Sequence, residues 1–199
     1  MTQIPGKAQD MIPQHLSNCL FACAQLKDEV LKVVEIVPAI VGEISLKISD
    51  MSPQQLSNSL EALVLLHDSV PEVEVFLKDG GSMDDIMRSA AARLNTLLPR
   101  IRGKDFSFTV PVVVWACAMA EMYDDELLDS VATRLGSRTK LSALPDFGVC
   151  ALSWSYQVLD TDDDFEDFKA LLMSETKKRG FSEAIVQSCP LGRSGWNYR

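Results

Sequence analysis

Behind Pro53 the apolar side chains fall at Leu56, Leu60, Leu63 and Val64, a spacing that gathers them on one face of an α-helix. Ser52 precedes the proline as a natural N-cap, and proline's fixed φ suits a first helical turn. Pro13 opens a similar stretch, so first helices are expected from Pro13 and from Pro53. A second stripe, Ile86, Ala90, Leu94 and Leu97, predicts a helix over 83–102. Asp84 and Asp85 suit its positive N-terminal end, and Arg100 and Arg102 suit the other. Partner helices of the same kind fit about 29–48, 124–135 and 162–179. Pro38 is expected to kink the first of these, and Thr161 or Asp162 to cap the last. Val110 to Val114 is ambiguous, because a β-branched run also suits a buried strand. The Trp115-Ala116-Cys117-Ala118 continuation favours helix. The pattern is all-α throughout.

Above these elements lies a repeat. Residues 11–20 and 51–60 agree at seven of ten positions: Met, Pro, Gln, Leu, Ser, Asn and Leu recur at an offset of 40. A helical period near 40 residues is the mark of a solenoid, in which each hairpin buries its apolar face only against its neighbours. Trp115-Ala116-Cys117-Ala118 echoes Phe21-Ala22-Cys23-Ala24, and Cys150 with Leu152 echoes Cys19 with Phe21. With Leu16, Leu56, Val110 and Phe147 as equivalents the offsets are 40, 54 and 37, so an insertion of about fourteen residues is placed between His67 and Ser82. The expected architecture is an αα-hairpin solenoid of about four repeats, one domain over 1–180. Its units lie near 11–50, 51–105, 106–143 and 144–180, with a capping segment and extended tail over 181–199.

Composition narrows what such a chain could do. Its 199 residues are 47% hydrophobic and 24% charged, which is globular composition. The net charge is −9, opposite to that of a protein holding nucleic acid on a broad basic face. Residues 1–105 carry 10 basic and 14 acidic groups, and residues 106–199 carry 9 and 14, so neither half is basic. The clusters Arg134-Arg138-Lys140 and Lys177-Lys178-Arg179 read first as complements to helix C-termini. Five cysteines, Cys19, Cys23, Cys117, Cys150 and Cys189, lack the spacing of a disulfide framework or a four-ligand zinc site. They read as small buried hydrophobes in a reducing compartment.

No catalytic set emerges, and no metal or cofactor site. A calcium loop starting at Asp160 needs Gly at its sixth place and an acid at its twelfth, where Phe165 and Leu171 stand. His15 and His67 have no matching nucleophile. Gly80-Gly81 is followed by no Lys-Ser/Thr and forms no phosphate loop. The apolar run from Val110 to Ala120 is too short to span a bilayer. Residues 1–7 show neither an apolar signal core nor an Arg- and Ser-rich presequence. The tail is more informative: Arg193, Trp196, Tyr198 and Arg199 are of the types that anchor interfaces. With Pro190, Gly192 and Gly195 opposing helix, 190–199 is expected to dock on a partner, the alternative being a frayed end.

Pro53-Gln54-Gln55-Leu56-Ser57-Asn58-Ser59-Leu60-Glu61-Ala62-Leu63, the Trp115-Ala116 dipeptide and Leu97-Leu98-Pro99-Arg100 together resemble octotricopeptide repeats. The heptatricopeptide and RAP-domain-associated families are their relatives. These are organelle-targeted helical-hairpin proteins; the likeness covers two units well and the rest loosely. The resemblance implies a mitochondrial or plastid location and a part in organellar RNA processing, translation or ribosome structure. It also implies that polar side chains on successive first helices face RNA, which marks Gln14, Ser17, Asn18, Gln54, Ser57 and Asn58 as RNA-contact candidates. Asn and Gln amides can read base edges. The competing account has Asn18 and Asn58 bonded to backbone between units, and Pro111, Val112, Gly148 and Val149 at the corresponding later positions cannot read bases. With the acidity, this favours a non-enzymatic scaffold, an accessory subunit among the protein subunits of a larger organellar complex, with RNA contact local or absent. The alternatives are a sequence-specific organellar RNA-binding protein and a structural subunit of an organellar membrane complex, photosynthetic or respiratory, that does not itself span the membrane.

Overall fold

Ser52 and Gln55 close the start of one helix from both sides. The Gln55 N–H donates to Ser52 Oγ at 3.4 Å, and the Ser52 N–H donates to Gln55 Oε1 at 2.9 Å. This capping box satisfies two donors that a helix end leaves open. Pro53 between them has no N–H to satisfy, so the helix begins where the sequence placed it. The computed structural model describes residues 7–26, 33–67, 83–159 and 164–182. Its helices are α1 (Pro13–Leu26), α2 (Val33–Lys47), α3 (Pro53–His67), α4 (Met83–Leu97), α5 (Gly103–Met119), α6 (Asp125–Leu135), α7 (Arg138–Ser142), α8 (Asp146–Leu159) and α9 (Glu166–Lys178). Two short 3₁₀ turns, Ala8–Asp10 and Ile48–Asp50, precede α1 and α3. No strand occurs among the described residues. The expected insertion over 68–82, the Thr161 or Asp162 cap and the tail lie outside them.

Helices α1, α3, α5 and α8 pack side by side in that order, and α2, α4, α6 and α9 lie against them. Each first-row helix therefore has neighbours on several sides, and α5 has the most. Thr109 to Cys117, together with Ala118, are all buried there. A helix enclosed on all sides has no polar face to keep, which is why Val110 to Val114 shows no helical stripe. Pro111 lies inside α5 and Pro38 inside α2. Gly148 lets α8 close on α5 at that proline, since a Cβ on residue 148 would stand 3.1 Å from Pro111 Cγ. Beside it the rings of Phe108 and Phe147 sit 5.2 Å apart.

At the C-terminal end Tyr156 joins three helices. It is fully buried, its Oη donates to the Leu128 carbonyl of α6 at 2.6 Å, and its ring meets Phe168 and Phe165 edge-on at 4.8 and 5.6 Å. Helix α6 itself starts on Asp124, whose Oδ1 accepts from the Leu127 N–H at 2.8 Å. The described cysteines are free thiols, with Cys23, Cys117 and Cys150 buried and Cys19 half-buried. No helix among the described residues is long and apolar enough to cross a membrane. Two features differ from expectation. Helix α4 ends at Leu97 rather than 102, so that α5 starts at Gly103, within the unit assigned to 51–105, and the five-residue α7 has no counterpart in the sequence pattern. Gly103 sits at φ +57, a left-handed conformation that glycine adopts without strain and that turns the chain into α5.

Candidate functional site

The carbonyls just ahead of a helix have no partner within it, and in this chain basic side chains from the second row reach four of them. Lys47 Nζ donates to the Met11 carbonyl at 3.0 Å and to that of Gln9 at 2.8 Å. Arg93 Nε donates to Met51 at 2.9 Å. Arg134 Nη2 donates to Ile101 at 3.1 Å. Arg179 Nη1 donates to Leu144 at 2.9 Å, and its Nη2 to Leu141 at 3.0 Å. The acceptors Met11, Met51, Ile101 and Leu144 each stand two residues before a first-row helix, at Pro13, Pro53, Gly103 and Asp146. Charge-assisted bonds of this kind contribute about 1.5–3 kcal/mol where shielded and less at the surface. Carboxylates orient the two outermost clasps: Glu43 lies 3.0 Å from Lys47, and Glu175 and Asp146 lie 2.9 and 2.8 Å from Arg179.

These clasps give a second marker of register beside the hydrophobic pattern. Met11, Met51, Ile101 and Leu144 are spaced 40, 50 and 43 residues apart; by this marker Phe106 and Val149 take the place of Leu16 and Leu56, whereas the sequence pattern put Val110 and Phe147 there. A hydroxyl stands at the next position in the first three, Ser17, Ser57 and Ser107, and bonds back to a carbonyl in the last two. Ser57 Oγ donates to the Gln54 carbonyl at 3.2 Å, and Ser107 Oγ donates to Lys104 at 3.1 Å, three residues back in both.

The six RNA-contact candidates are split by the fold. Gln14, Asn18 and Gln54 are exposed, and Asn58 is half-buried. Ser17 and Ser57 are 1% and 2% exposed, buried where no base can reach them, and this corrects their assignment. Exposed Asn18 likewise does not fit the account of an amide buried between units. By the clasp marker the positions following Ser57 and Asn58 along the row are Ser107 and Phe108, then Cys150 and Ala151, so the Ser-Asn pair does not continue beyond α3. His15 is exposed and His67 half-buried. No group of three or more His, Cys, Asp or Glu able to hold a metal occurs among the described residues. Arg193, Trp196, Tyr198 and Arg199 lie outside them.

A cleft of about 1050 Å³ opens where the start of α5 faces α6 and α7. Arg102, Lys104, Arg134 and Lys140 line it with a single acid, Asp129, over a floor that includes Ile101, Phe106, Leu135 and Leu144. Arg134 lies over the Phe106 ring at 5.0 Å, a cation–π placement. Arg102 Nη1 donates to the same Ile101 carbonyl, at 2.8 Å, that accepts from Arg134. Partial burial, with the Arg102 charge beside it, holds the Arg134 guanidinium below its ordinary pKa. Lys140 belongs to a cluster that reads in the sequence as a helix C-terminal complement. The convergence of Arg102 with Arg134 and Lys140 could not be read there, because it depends on which faces of α5, α6 and α7 meet. In the other cluster, Arg179 and Lys178 are engaged with Glu175.

Comparison with protein-family models, curated proteins and solved structures finds no match to this chain.

Proposed function

We propose that this chain is an αα-hairpin solenoid of four units acting as a non-enzymatic scaffold, an accessory subunit of a larger organellar assembly such as a ribosome or an RNA-processing complex. The observation that carries the reading is the recurrence of one basic clasp at the same place, two residues ahead of α1, α3, α5 and α8. A clasp of this kind ties each second-row helix to the entry of the first-row helix of its own hairpin. That makes each hairpin a rigid unit and leaves the units to stack as a row, the construction of repeat proteins whose surfaces serve for binding. The organellar setting rests on the family resemblance of residues 53–63, 97–100 and 115–116. The accessory role rests on the net charge of −9, which disfavours unaided binding to a long polyanion.

Within this reading residues 190–199 dock on an acidic or phosphate-bearing surface of the partner through Arg193, Trp196, Tyr198 and Arg199. The experiment is to purify the tagged protein from its native source under mild conditions and identify what co-migrates. A stable set of protein subunits supports the scaffold, and deletion of 190–199 should release the protein from them. Migration as a lone monomer would sink it. Nanomolar, salt-sensitive gel shift of a single RNA by the purified protein would make the sequence-specific binder correct instead. Co-migration with a photosynthetic or respiratory complex would make it a membrane-complex subunit.

A further inference from the structure

We propose that the cleft between the start of α5 and the α6–α7 segment is a binding site for a small organic phosphate of nucleotide size. In a chain of net charge −9 this cleft gathers Arg102, Lys104, Arg134 and Lys140 against Asp129 alone. No carboxylate among the described residues pairs with any of the four cations. Arg179 and Lys47, by contrast, each carry a carboxylate partner. Two guanidiniums converge on the Ile101 carbonyl, and a carbonyl oxygen neutralises neither. Each arginine uses only one of its five N–H donors there, so the remaining forks are available to an anion that can take two parallel bonds. A phosphate does this better than a carboxylate can across two arginines, because it offers three oxygens in place of two.

The wall carries further polar groups suited to such a ligand. Asn95, Ser107, Ser130 and Thr133 line the cleft. The start of α5 at the rim has no side-chain cap, so its first N–H groups remain open to an acceptor.

Size selects among phosphates. Sites for small molecules run to roughly 300–1,000 Å³, and 1050 Å³ is far more than inorganic phosphate fills. The floor of Ile101, Phe106, Leu135 and Leu144 suits an apolar or planar body attached to the phosphate. This site is separate from the polar positions of α1 and α3 and does not depend on the scaffold reading.

The test is calorimetric titration of the full-length protein with ADP at low salt, with adenosine as the control lacking phosphate. Lys104→Gln and Lys140→Gln remove rim charges whose side chains hold no partner among the described residues, so the melting temperature should not move. The expected result is saturable ADP binding, none by adenosine, and weakening by about tenfold or more in the double variant. Binding in the wild type that the double variant retains in full would overturn the site. Absence of any ADP binding at roughly millimolar ligand would overturn it too. Binding confined to oligoribonucleotides and tightening with their length would replace the small-molecule site with a nucleic-acid surface.

Discussion

Arg93 Nε lies 2.9 Å from the carbonyl oxygen of Met51, a residue 42 positions away that is itself fully buried. The bond fixes α4 to the turn Ile48–Asp50 just before α3, and that turn also packs against α2. It thus sits where one hairpin ends and the next begins. Arg93→Met keeps the apolar stem and removes the donor, leaving a carbonyl shielded without its partner. The expected cost is about 1–2 kcal/mol, measured as a lower midpoint of urea unfolding at unchanged slope. Arg93→Lys should recover part of the loss, because an ammonium can reach the same oxygen without the planar fork. A variant as stable as wild type would remove the clasp from the account of the fold.

Tyr156 makes a second junction, and its two parts can be separated. Tyr156→Phe deletes only the hydroxyl bonded to Leu128 and is expected to cost about 1 kcal/mol. Tyr156→Ala also opens a cavity against Phe165 and Phe168, and about 3–5 kcal/mol is expected. Chemical denaturation of the pair gives both numbers. Equal losses would mean that the ring packing contributes nothing.

Gly148 tests how closely α5 and α8 are packed. A Cβ would lie 3.1 Å from Pro111 Cγ and 3.5 Å from the Pro145 ring, and neither proline can rotate away. Gly148→Val should destabilise by about 1–3 kcal/mol through overpacking. Combining it with Pro111→Ala should restore part of that loss, since the neighbour that blocks the added methyls has then been cut back. An additive double variant would show that the two helices adjust independently.

Much of this fold was legible because helices declare themselves locally. Of the stripe Ile86, Ala90, Leu94 and Leu97 the first three are buried and Leu97 is half-buried, and Ser52 caps α3 as read. The register of α5 was not legible, and the reason is geometric. By the clasp marker Phe106 takes the place that the hydrophobic pattern gives to Val110, a slip of four residues and close to one helical turn, so both positions fall on one face and the pattern hardly separates them. The resemblance of Trp115-Ala116-Cys117-Ala118 to Phe21-Ala22-Cys23-Ala24 encouraged the slip. A usable signal was present in Ile101 and Ser107, which repeat Met51 and Ser57 at the right interval. The clasps and the cationic cleft were beyond reach, because Arg93, Arg134 and Arg179 find carbonyls 33 to 42 residues away. That pairing is settled only when the rows pack.

Glu175 makes one clasp sensitive to acid. The Arg179 hydrogen bond holds its carboxyl below the ordinary value, burial opposes this, and Lys178 adds to the lowering. A depressed carboxylate pKa stabilises the fold above the unfolded-state pKa, near 4.5, and that stabilisation is lost as pH falls through the folded value. Wild type should therefore exceed Glu175→Gln in stability at pH 7 and converge toward it below about pH 4. Urea midpoints of both proteins between pH 7 and pH 3 decide the matter. A gap that stayed constant with pH would mean that Glu175 acts by shape and not by charge.

The thiols should differ sharply in reactivity. Burial pushes the Cys117 thiol up to about 12, with the Asp124 charge adding to the rise, and the thiolate is the species that alkylates. Cys23 is raised as well, by burial first and by Cys19 second, while Cys19 is half-buried and more accessible. Brief treatment of the native protein with iodoacetamide at pH 8, followed by peptide mass spectrometry, should label Cys19 well before Cys117. Cys117 should react only as fast as the protein unfolds, so a stabilising ligand that slows unfolding would slow its labelling in proportion. Labelling of Cys117 in the native state at the rate of Cys19 would show that α5 opens to solvent, contrary to its place in the middle of the first row.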